Sequence, residues 1–472
     1  MMRNIKSFAL LFLVLLFPCV SRAVAPSFDF GPFFSVEKSI EGYKRLRVLG
    51  PFFEKQTAED GSEFFATRPL FCSVKNGEDG RVVRNILWPL GWTSESEDRD
   101  NWRMFPFGGW SPKDKEADGW RFMGFPLIYA GETREGDGYF AFFPIGGVLK
   151  GLLFRDRISF VLFPLYMYMS INDVESWDVL WPFISWTKGD GVKRFRVFPF
   201  YGMSEREDRW KKQFIMWPIW SAAKYSFPGG VGRSHILFPI YGHALMEDQE
   251  TWWVVPPFFR WTKGDKRNVV NCPWPLIQYA SGDLKKFYIF PLLGRKSIEN
   301  LQTAFFLWPI VTWEKTQRRT ADRERLMVFP IYYNEKVTAK DSEKDVLSRY
   351  TKVWPLVSYR REGDVNRVWA PDLWPGKHKP SIDRNFSPLW TLYSRVESGD
   401  AVDHELLWGL FKKRKGTDGS KYLSLFPLFS AAADGQESKK WSFLFGLLGY
   451  EREKLQKTYR LLYFPIRVGG TK

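Results

Sequence analysis

At 472 residues the chain has room for roughly two to four domains. Aromatic residues make up 18% of it, with 43 Phe and 23 Trp, a composition that suits pleated sheet and argues against a helical protein. The formal net charge of +16 points, in an exported chain, to anionic surfaces rather than to nucleic acid.

Residues 1–23 read as an export signal. Arg3 and Lys6 supply a positive start, Phe8 to Phe17 an unbroken apolar run, and Ser21-Arg22-Ala23 the small residues of a cleavage site. The run is about ten residues, short of the ~20 that a transmembrane anchor needs. A lipoprotein reading on Cys19 is opposed by Phe17 and Pro18, which replace the small residues a lipidation site wants. After the signal no apolar run is long enough to span as a helix.

Residues 24–472 read as one repeat array. An aromatic-proline pair or a close variant recurs from Pro32, Pro51, Pro69, Pro89 and Pro106 through Pro199, Pro218, Pro239 and Pro257 to Pro355. Pro371, Pro388, Pro427 and Pro465 continue the series, and Gly409 and Gly446 stand where proline is expected. The count is about 24 units of roughly 18–19 residues. Trp186-Thr187-Lys188-Gly189-Asp190 recurs unchanged as Trp261-Thr262-Lys263-Gly264-Asp265. The spacing breaks over residues 364–384, a candidate irregular loop, and Ser226 to Ser234 reads as an unusually long glycine-rich turn.

The polar spacers, among them Gly189-Asp190-Gly191, Ser281-Gly282-Asp283, Glu362-Gly363-Asp364, Ser398-Gly399-Asp400 and Asp434-Gly435, are hairpin turns. Each proline then lies midway between two turns. Either it kinks one long strand of about eleven residues, or it makes a corner between two shorter ones. Counted from the proline, positions −4, −2, +2 and +4 are apolar: Phe195, Val197, Tyr201 and Met203 around Pro199, and Phe214, Met216, Trp220 and Ala222 around Pro218. Around Pro257 they are Trp253, Val255, Phe259 and Trp261.

The expected fold is therefore an all-β antiparallel meander of proline-centred units, closed as a barrel or arranged as a propeller-like or flower-like array. Strands of about 9–11 residues with one apolar face match an outer-membrane barrel. Trp110, Trp186, Trp220, Trp261, Tyr279, Trp313 and Tyr359 are its candidate interfacial or stacking aromatics. Bulky Phe and Trp on the other face count against the barrel, as do the ladder bonds that proline removes. So do Arg47 and Lys55, which flank Pro51 on its expected lipid side. A soluble hairpin array answers these objections but leaves the apolar face unexplained.

Few residues carry chemistry. Of the four histidines, His235, His243, His378 and His404, the first two are placed near opposite ends of one strand and do not form a metal pair, and read as exposed or strand-end histidines. Cys72 and Cys272 read as two separate thiols, with one disulfide as the alternative. Pro228-Gly229-Gly230-Val231-Gly232 lacks the helix and lysine of a phosphate loop, and Ser35-Val36-Glu37-Lys38 matches an acyl-enzyme spacing by chance. Carboxylates and basic clusters such as Lys412 to Lys415 are assigned to solvated turns and strand ends. No enzyme activity, metal or cofactor is expected. The expected partners are membrane lipid, lipopolysaccharide or an acidic glycan, with protein partners open.

Gly50-Pro51-Phe52-Phe53, Arg68-Pro69-Leu70-Phe71, Leu87-Trp88-Pro89-Leu90 and Met104-Phe105-Pro106-Phe107 resemble the opening of uncharacterised exported bacterial proteins built on repeated aromatic-proline motifs. The resemblance implies a bacterial envelope setting and transfers no functional residue. The leading expectation is a non-enzymatic envelope protein at the outer membrane, its apolar strand faces meeting lipid or hydrophobic cargo. The alternative is a soluble secreted array in the periplasm or outside the cell, binding a glycan or protein; an exported hydrolase is the third.

Overall fold

The computed structural model describes residues 26–113, 119–228, 230–340, 346–434, 438–453 and 456–468. The expected export signal, with Cys19, lies outside them, as does Gly435. The described chain is all-β, with 46 strands in antiparallel meander order. It divides into two compact units: residues up to Trp88 together with Leu347 onward, and Pro89–Val346. In the described pairings each strand pairs with the next in sequence, as Ile184–Gly189, Val192–Val197 and Tyr201–Arg206 do. The sheet is not closed, so neither the barrel nor the propeller arrangement follows from it.

The prolines stand at corners. Val197 pairs with Tyr201 across Phe198-Pro199-Phe200, so of the two readings the corner holds, and the eleven-residue stretch is two strands of 6 residues each. Described strands run from 3 residues (Phe28–Phe30) to 8 (Trp220–Phe227). At a corner such as Leu180 to Phe183, the Phe183 N–H donates to the Leu180 carbonyl at 2.8 Å, closing a β-turn around the cis Trp181-Pro182 bond.

The corners also bond to one another, which answers the objection of lost ladder bonds. Proline has no N–H to give, but its carbonyl accepts. The Trp181 N–H donates to the Pro164 carbonyl and the Leu180 N–H to the Leu165 carbonyl, both at 2.8 Å. Trp217 N–H to the Pro199 carbonyl and Met216 N–H to the Phe200 carbonyl, both 2.7 Å, repeat the pattern. The aromatic rings meet in tilted contacts along the same direction: Phe143 to Phe163 at 5.2 Å, Phe163 to Trp181 at 5.8 Å, Phe198 to Trp217 at 5.4 Å and Phe290 to Trp308 at 5.5 Å between centroids. Gly409 keeps the corner without proline. Leu407 and Trp408 turn the chain at φ of 49° and 55°, and Leu406 pairs with Phe411. Gly446 does the same between Phe443 and Leu448.

Corner length varies, and it changes the faces. Val179 pairs with Ile184, Ile215 with Trp220, Val254 with Phe259 and Phe306 with Val311, each across four residues instead of three. The extra residue (Leu180, Met216, Val255 or Leu307) takes a left-handed φ of 45–49°. One inserted residue reverses the in–out parity of the strand before it. Phe214, Trp253 and Phe305, expected on the same face as Trp220, Trp261 and Trp313, therefore lie on the opposite one. Arg47 is corrected in the same way: Val48 pairs with Phe53, so Arg47 leaves the expected lipid side.

The opposite edge carries the polar turns. Asp190-Gly191, at φ 45° and 67°, joins Gly189 to Val192 as a tight two-residue hairpin. The stretch from Ser226 to Ser234 is not a long turn. Pairing runs out to Phe227 and Gly230, so the strands are longer and the turn is short. Pro388 and Pro465 are not corners: Pro388 lies in the short helix Ser387–Trp390 and Pro465 within strand Phe464–Val468. Between strands Val365–Ala370 and Tyr393–Ser398 the meander gives way to that helix and to helix Pro380–Asn385.

Candidate lipid-facing surface and buried polar face

Cross-strand register sorts side chains onto two faces. One row in the Pro89–Val346 unit reads Val197, Tyr201, Ile215, Trp220, Leu237, Tyr241, Val254 and Phe259, each opposite the next. A second row on that face contains Trp252, Trp261, Val270, Tyr279 and Phe287. The other face carries Ser185, Arg196 and Gly202 in one row and Thr187, Arg194, Ser204 and Lys212 in the next. Burial does not follow polarity: Arg194 and Lys212 on the polar face are exposed while hydroxyls of the same face are covered. Thr187, Thr251 and Thr262 are buried, whereas Trp186, Trp261 and Tyr279 are 38%, 42% and 51% exposed.

The two identical pentapeptides occupy equivalent places. Thr187 pairs its hydroxyl with Ser176, and Thr262 with Thr251, each at 2.9 Å, while Trp186 and Trp261 face away from them. The proline corners of each unit add an apolar rim: Phe105, Phe125, Phe183, Phe200, Trp217, Ile240 and Trp308 are exposed in one, and Leu356 in the other. The polar face is not uniformly hydrophilic, since Tyr139, Ala141, Leu149, Ile158 and Phe160 form a buried apolar cluster on it.

Five of the seven candidate aromatics lie on the aromatic face of the Pro89–Val346 unit; Tyr359, in the other unit, lies on the face away from buried Lys352 and Ser358. Trp186 stacks on Trp177 at 6.0 Å, and Trp261 and Tyr279 share a row with Val270 between them. Trp220, Trp313 and Tyr359 are each half-buried in their own unit; the Trp313 indole donates to Glu324 at 2.8 Å and the Tyr359 hydroxyl to Asn366 at 2.9 Å. They line a surface and do not converge on one point. Trp110 is the exception. It pairs with Arg121, whose row leads through Gly131 to buried Tyr139, and the guanidiniums of Arg121 and Arg99 lie 5.1 and 5.8 Å from its ring. Trp110 belongs to the polar face.

In the other unit the polar face closes on itself. Strands Phe34–Lys38 and Lys44–Val48 meet strands Ala401–Leu406 and Phe411–Lys415 through their side chains. Glu37, 2% exposed, accepts from Arg45 at 2.6 Å, Arg414 at 2.9 Å, Arg47 at 3.2 Å and Lys412 at 3.4 Å. Lys412 also reaches Asp29 at 3.1 Å, Arg414 reaches Asp403 at 2.9 Å, and Glu405 is held by Arg45 at 3.2 Å and by Arg47. At the corner edge Gly31, at φ 57°, lies so close to Phe426 that an added Cβ would sit 2.4 Å from its ring; only glycine fits.

Burial opposes the charge on Glu37, yet Arg45, Lys412, Arg414 and Arg47 outweigh it and hold the carboxyl well below its ordinary range. Burial likewise opposes ionisation of Glu405, and Arg47, Arg45 and Lys412 bring it down to about 2. This network is a correction. Glu37, Glu405, Asp403, Lys412 and Arg414 are not solvated turn charges, and the run Lys412 to Lys415 alternates: Lys412 and Arg414 are buried, Lys413 and Lys415 exposed. Period two was the signal that distinguishes them.

The remaining candidates sort simply. His235 and His243 are not at opposite ends of one strand; the corner at Pro239 makes them cross-strand partners with rings 5.7 Å apart. His243 also meets Trp252 at 4.0 Å and Glu250 at 2.9 Å. No group of three metal-ligating side chains occurs among the described residues. Cys72 and Cys272 are both free; burial pushes the Cys72 thiol up to about 11. Ser35 is buried on the polar face, while Lys38 is exposed and paired with Glu59 at 3.1 Å, so they form no serine–lysine pair. No family model and no curated protein matches the chain.

Proposed function

We propose that the protein is a non-enzymatic envelope protein that embeds its aromatic face and proline rim in the hydrophobic layer of a membrane without crossing it. The observation that carries this reading is the exposure of Trp186, Trp261, Tyr279 and the proline corners while the hydroxyls of Thr187, Thr251 and Thr262 on the other face are covered. Water penalises such a surface, while hydrocarbon accepts it. Charged turns at the opposite edge, such as Glu205 to Arg209, would remain among the headgroups. The basic net charge adds attraction to anionic lipid.

Strand length favours embedding over spanning. A strand of 6 residues such as Tyr201–Arg206 rises about 20 Å at ~3.3 Å per residue. A spanning strand needs about 9–11 residues for a hydrocarbon core of about 30 Å. The hairpins match one leaflet and its headgroup zone. Since the sheet is open, a closed pore is the weaker form of the reading.

The test is fractionation of the exported protein, a carbonate wash of the membranes, and electrophoresis of the pellet with and without boiling. Retention in the pellet with no change of mobility on boiling is the expected result. Release by carbonate overturns embedding and transfers weight to a soluble array whose stacked aromatics bind a glycan. Retention with heat-dependent mobility overturns the open sheet in favour of a barrel.

A further inference from the structure

Where the polar face of the unit containing Glu37 closes on itself, it leaves a cavity of about 550 Å³ beside helix Pro380–Asn385. Six guanidiniums line it: Arg45, Arg47, Arg68, Arg360, Arg367 and Arg384. Only three carboxylates do, and each is already engaged. Glu54 holds Arg68 at 2.8 Å, Glu405 holds Arg45 and Arg47, and Asp383 holds His378 at 2.7 Å.

The other three arginines are differently placed. Arg360 is held by Glu362 and Arg367 by Glu41, neither of which lines the cavity. Arg384 has no ion-pair partner among the described residues, and its Nε is buried without an acceptor. Its backbone is held in the cavity wall, because its carbonyl accepts from the Arg68 Nε at 2.7 Å. Much of the remaining wall is apolar and includes Pro51, Leu392 and Trp408. Pro51 and Trp408 are corner residues, so this part of the wall leads toward the exposed rim.

We propose that this cavity binds the phosphate of an anionic amphiphile, with the phosphate on Arg360, Arg367 and Arg384 and the apolar chain along Pro51, Leu392 and Trp408. A phosphate monoester offers several charged acceptors to guanidinium forks, which is the geometry arginine recognises best. An apolar chain continuing from it would lie along Pro51, which Arg68 ties to Arg384 by bonding both carbonyls, and on toward Leu392 and Trp408. The proposal does not rest on membrane embedding, since the cavity lies within the polar face of one unit.

The experiment is calorimetric titration of the full chain with three soluble probes: dihexanoyl phosphatidic acid, dihexanoyl phosphatidylcholine and inorganic phosphate. Phosphatidic acid is expected to bind at least tenfold more tightly than either of the others. The double variant Arg360→Gln, Arg384→Gln is expected to lose at least tenfold in that affinity. If this variant fails to fold, Ser394→Glu, which adds a carboxylate to the cavity wall, is expected to produce the same loss. Equal binding of phosphatidic acid and inorganic phosphate overturns the amphiphile and leaves a plain phosphate site. No binding of any probe, or unchanged affinity in a folded variant, overturns the site itself.

Discussion

Glu37 and Arg414 are 377 residues apart in the chain and 2.9 Å apart in the folded protein. The pair is one contact of a network that staples strands Phe34–Lys38 and Lys44–Val48 to strands Ala401–Leu406 and Phe411–Lys415. Replacing Glu37 with Gln keeps the volume and removes the charge, leaving Arg45, Arg47, Lys412 and Arg414 short of a counter-ion. Breaking one side of a buried ion cluster costs about 3–5 kcal/mol. Urea unfolding of Glu37→Gln should show a loss of that size. Glu59→Gln, which removes only the exposed partner of Lys38, should cost less than about 1 kcal/mol.

The same network makes the unit acid-sensitive. Glu37, Glu54 and Glu405 are all depressed in the folded state, Glu405 to about 2. Their contribution is complete above the ordinary carboxylate value of 4.5 and is lost as pH falls toward the folded values. For Glu405 alone the shift corresponds to roughly 3 kcal/mol. His404, lowered by burial and by Arg395 and Lys413, adds a smaller loss that begins below its ordinary 6.5. The urea midpoint should therefore stay nearly level from pH 8 to 6 and fall steeply between pH 4.5 and 2.5. A level midpoint down to pH 2.5 contradicts the burial of these carboxylates.

Much of the architecture is legible in the residues, for reasons that are local. Phe-Pro and Trp-Pro spacing marks the corners, and Asp190-Gly191 marks a turn because only positive φ closes it. Gly409 is recognisable as a corner because the interval around it is kept. Corner length is not legible. Leu180 and Met216 adopt left-handed backbone that nothing in their side chains favours, so the parity change they impose is invisible beforehand. The ion network is hidden for another reason. Glu37 and Lys412 meet only after the whole unit has folded, and no short-range pattern encodes a contact across such a separation. Burial of charge also contradicts the ordinary expectation that turn-rich carboxylates face water. Within the run from Lys412 to Lys415 the alternation was nonetheless readable. The histidine pair shows the cost of taking the proline as mid-strand: with a corner at Pro239, His235 and His243 necessarily face each other.

Val255 carries the clearest backbone strain. It is β-branched and sits at φ 45°, a region such residues avoid. Left-handed backbone costs an L-residue roughly 1–2 kcal/mol, less for Asn, whose short side chain bonds locally. Val255→Asn should therefore raise the thermal midpoint, by an amount equivalent to about 1 kcal/mol. Val254→Asn is the control. Val254 is in regular strand and pairs with Tyr241 and Phe259 on the aromatic face, so this change should not stabilise. Differential scanning calorimetry of the two variants separates the outcomes.

Trp186 and Trp261 occupy equivalent places in two identical pentapeptides, and Trp110 lies on the opposite face. If the aromatic face meets lipid, Trp186→Ala and Trp261→Ala should weaken partition into anionic vesicles by similar factors. Full burial of a large apolar side chain is worth about 1.5–3 kcal/mol. Each change should thus reduce partition roughly tenfold to a hundredfold, with little effect on the urea midpoint. Trp110→Ala should behave in the reverse sense. Loss of its packing against Arg99 and Arg121 should lower stability by about 1–2 kcal/mol, while partition of the folded protein stays within twofold. Vesicle flotation and urea titration of the three variants measure both quantities. Equal partition losses at all three positions would mean that the two faces are not distinguished by lipid, and the embedding would have to be abandoned for a surface that reads another ligand.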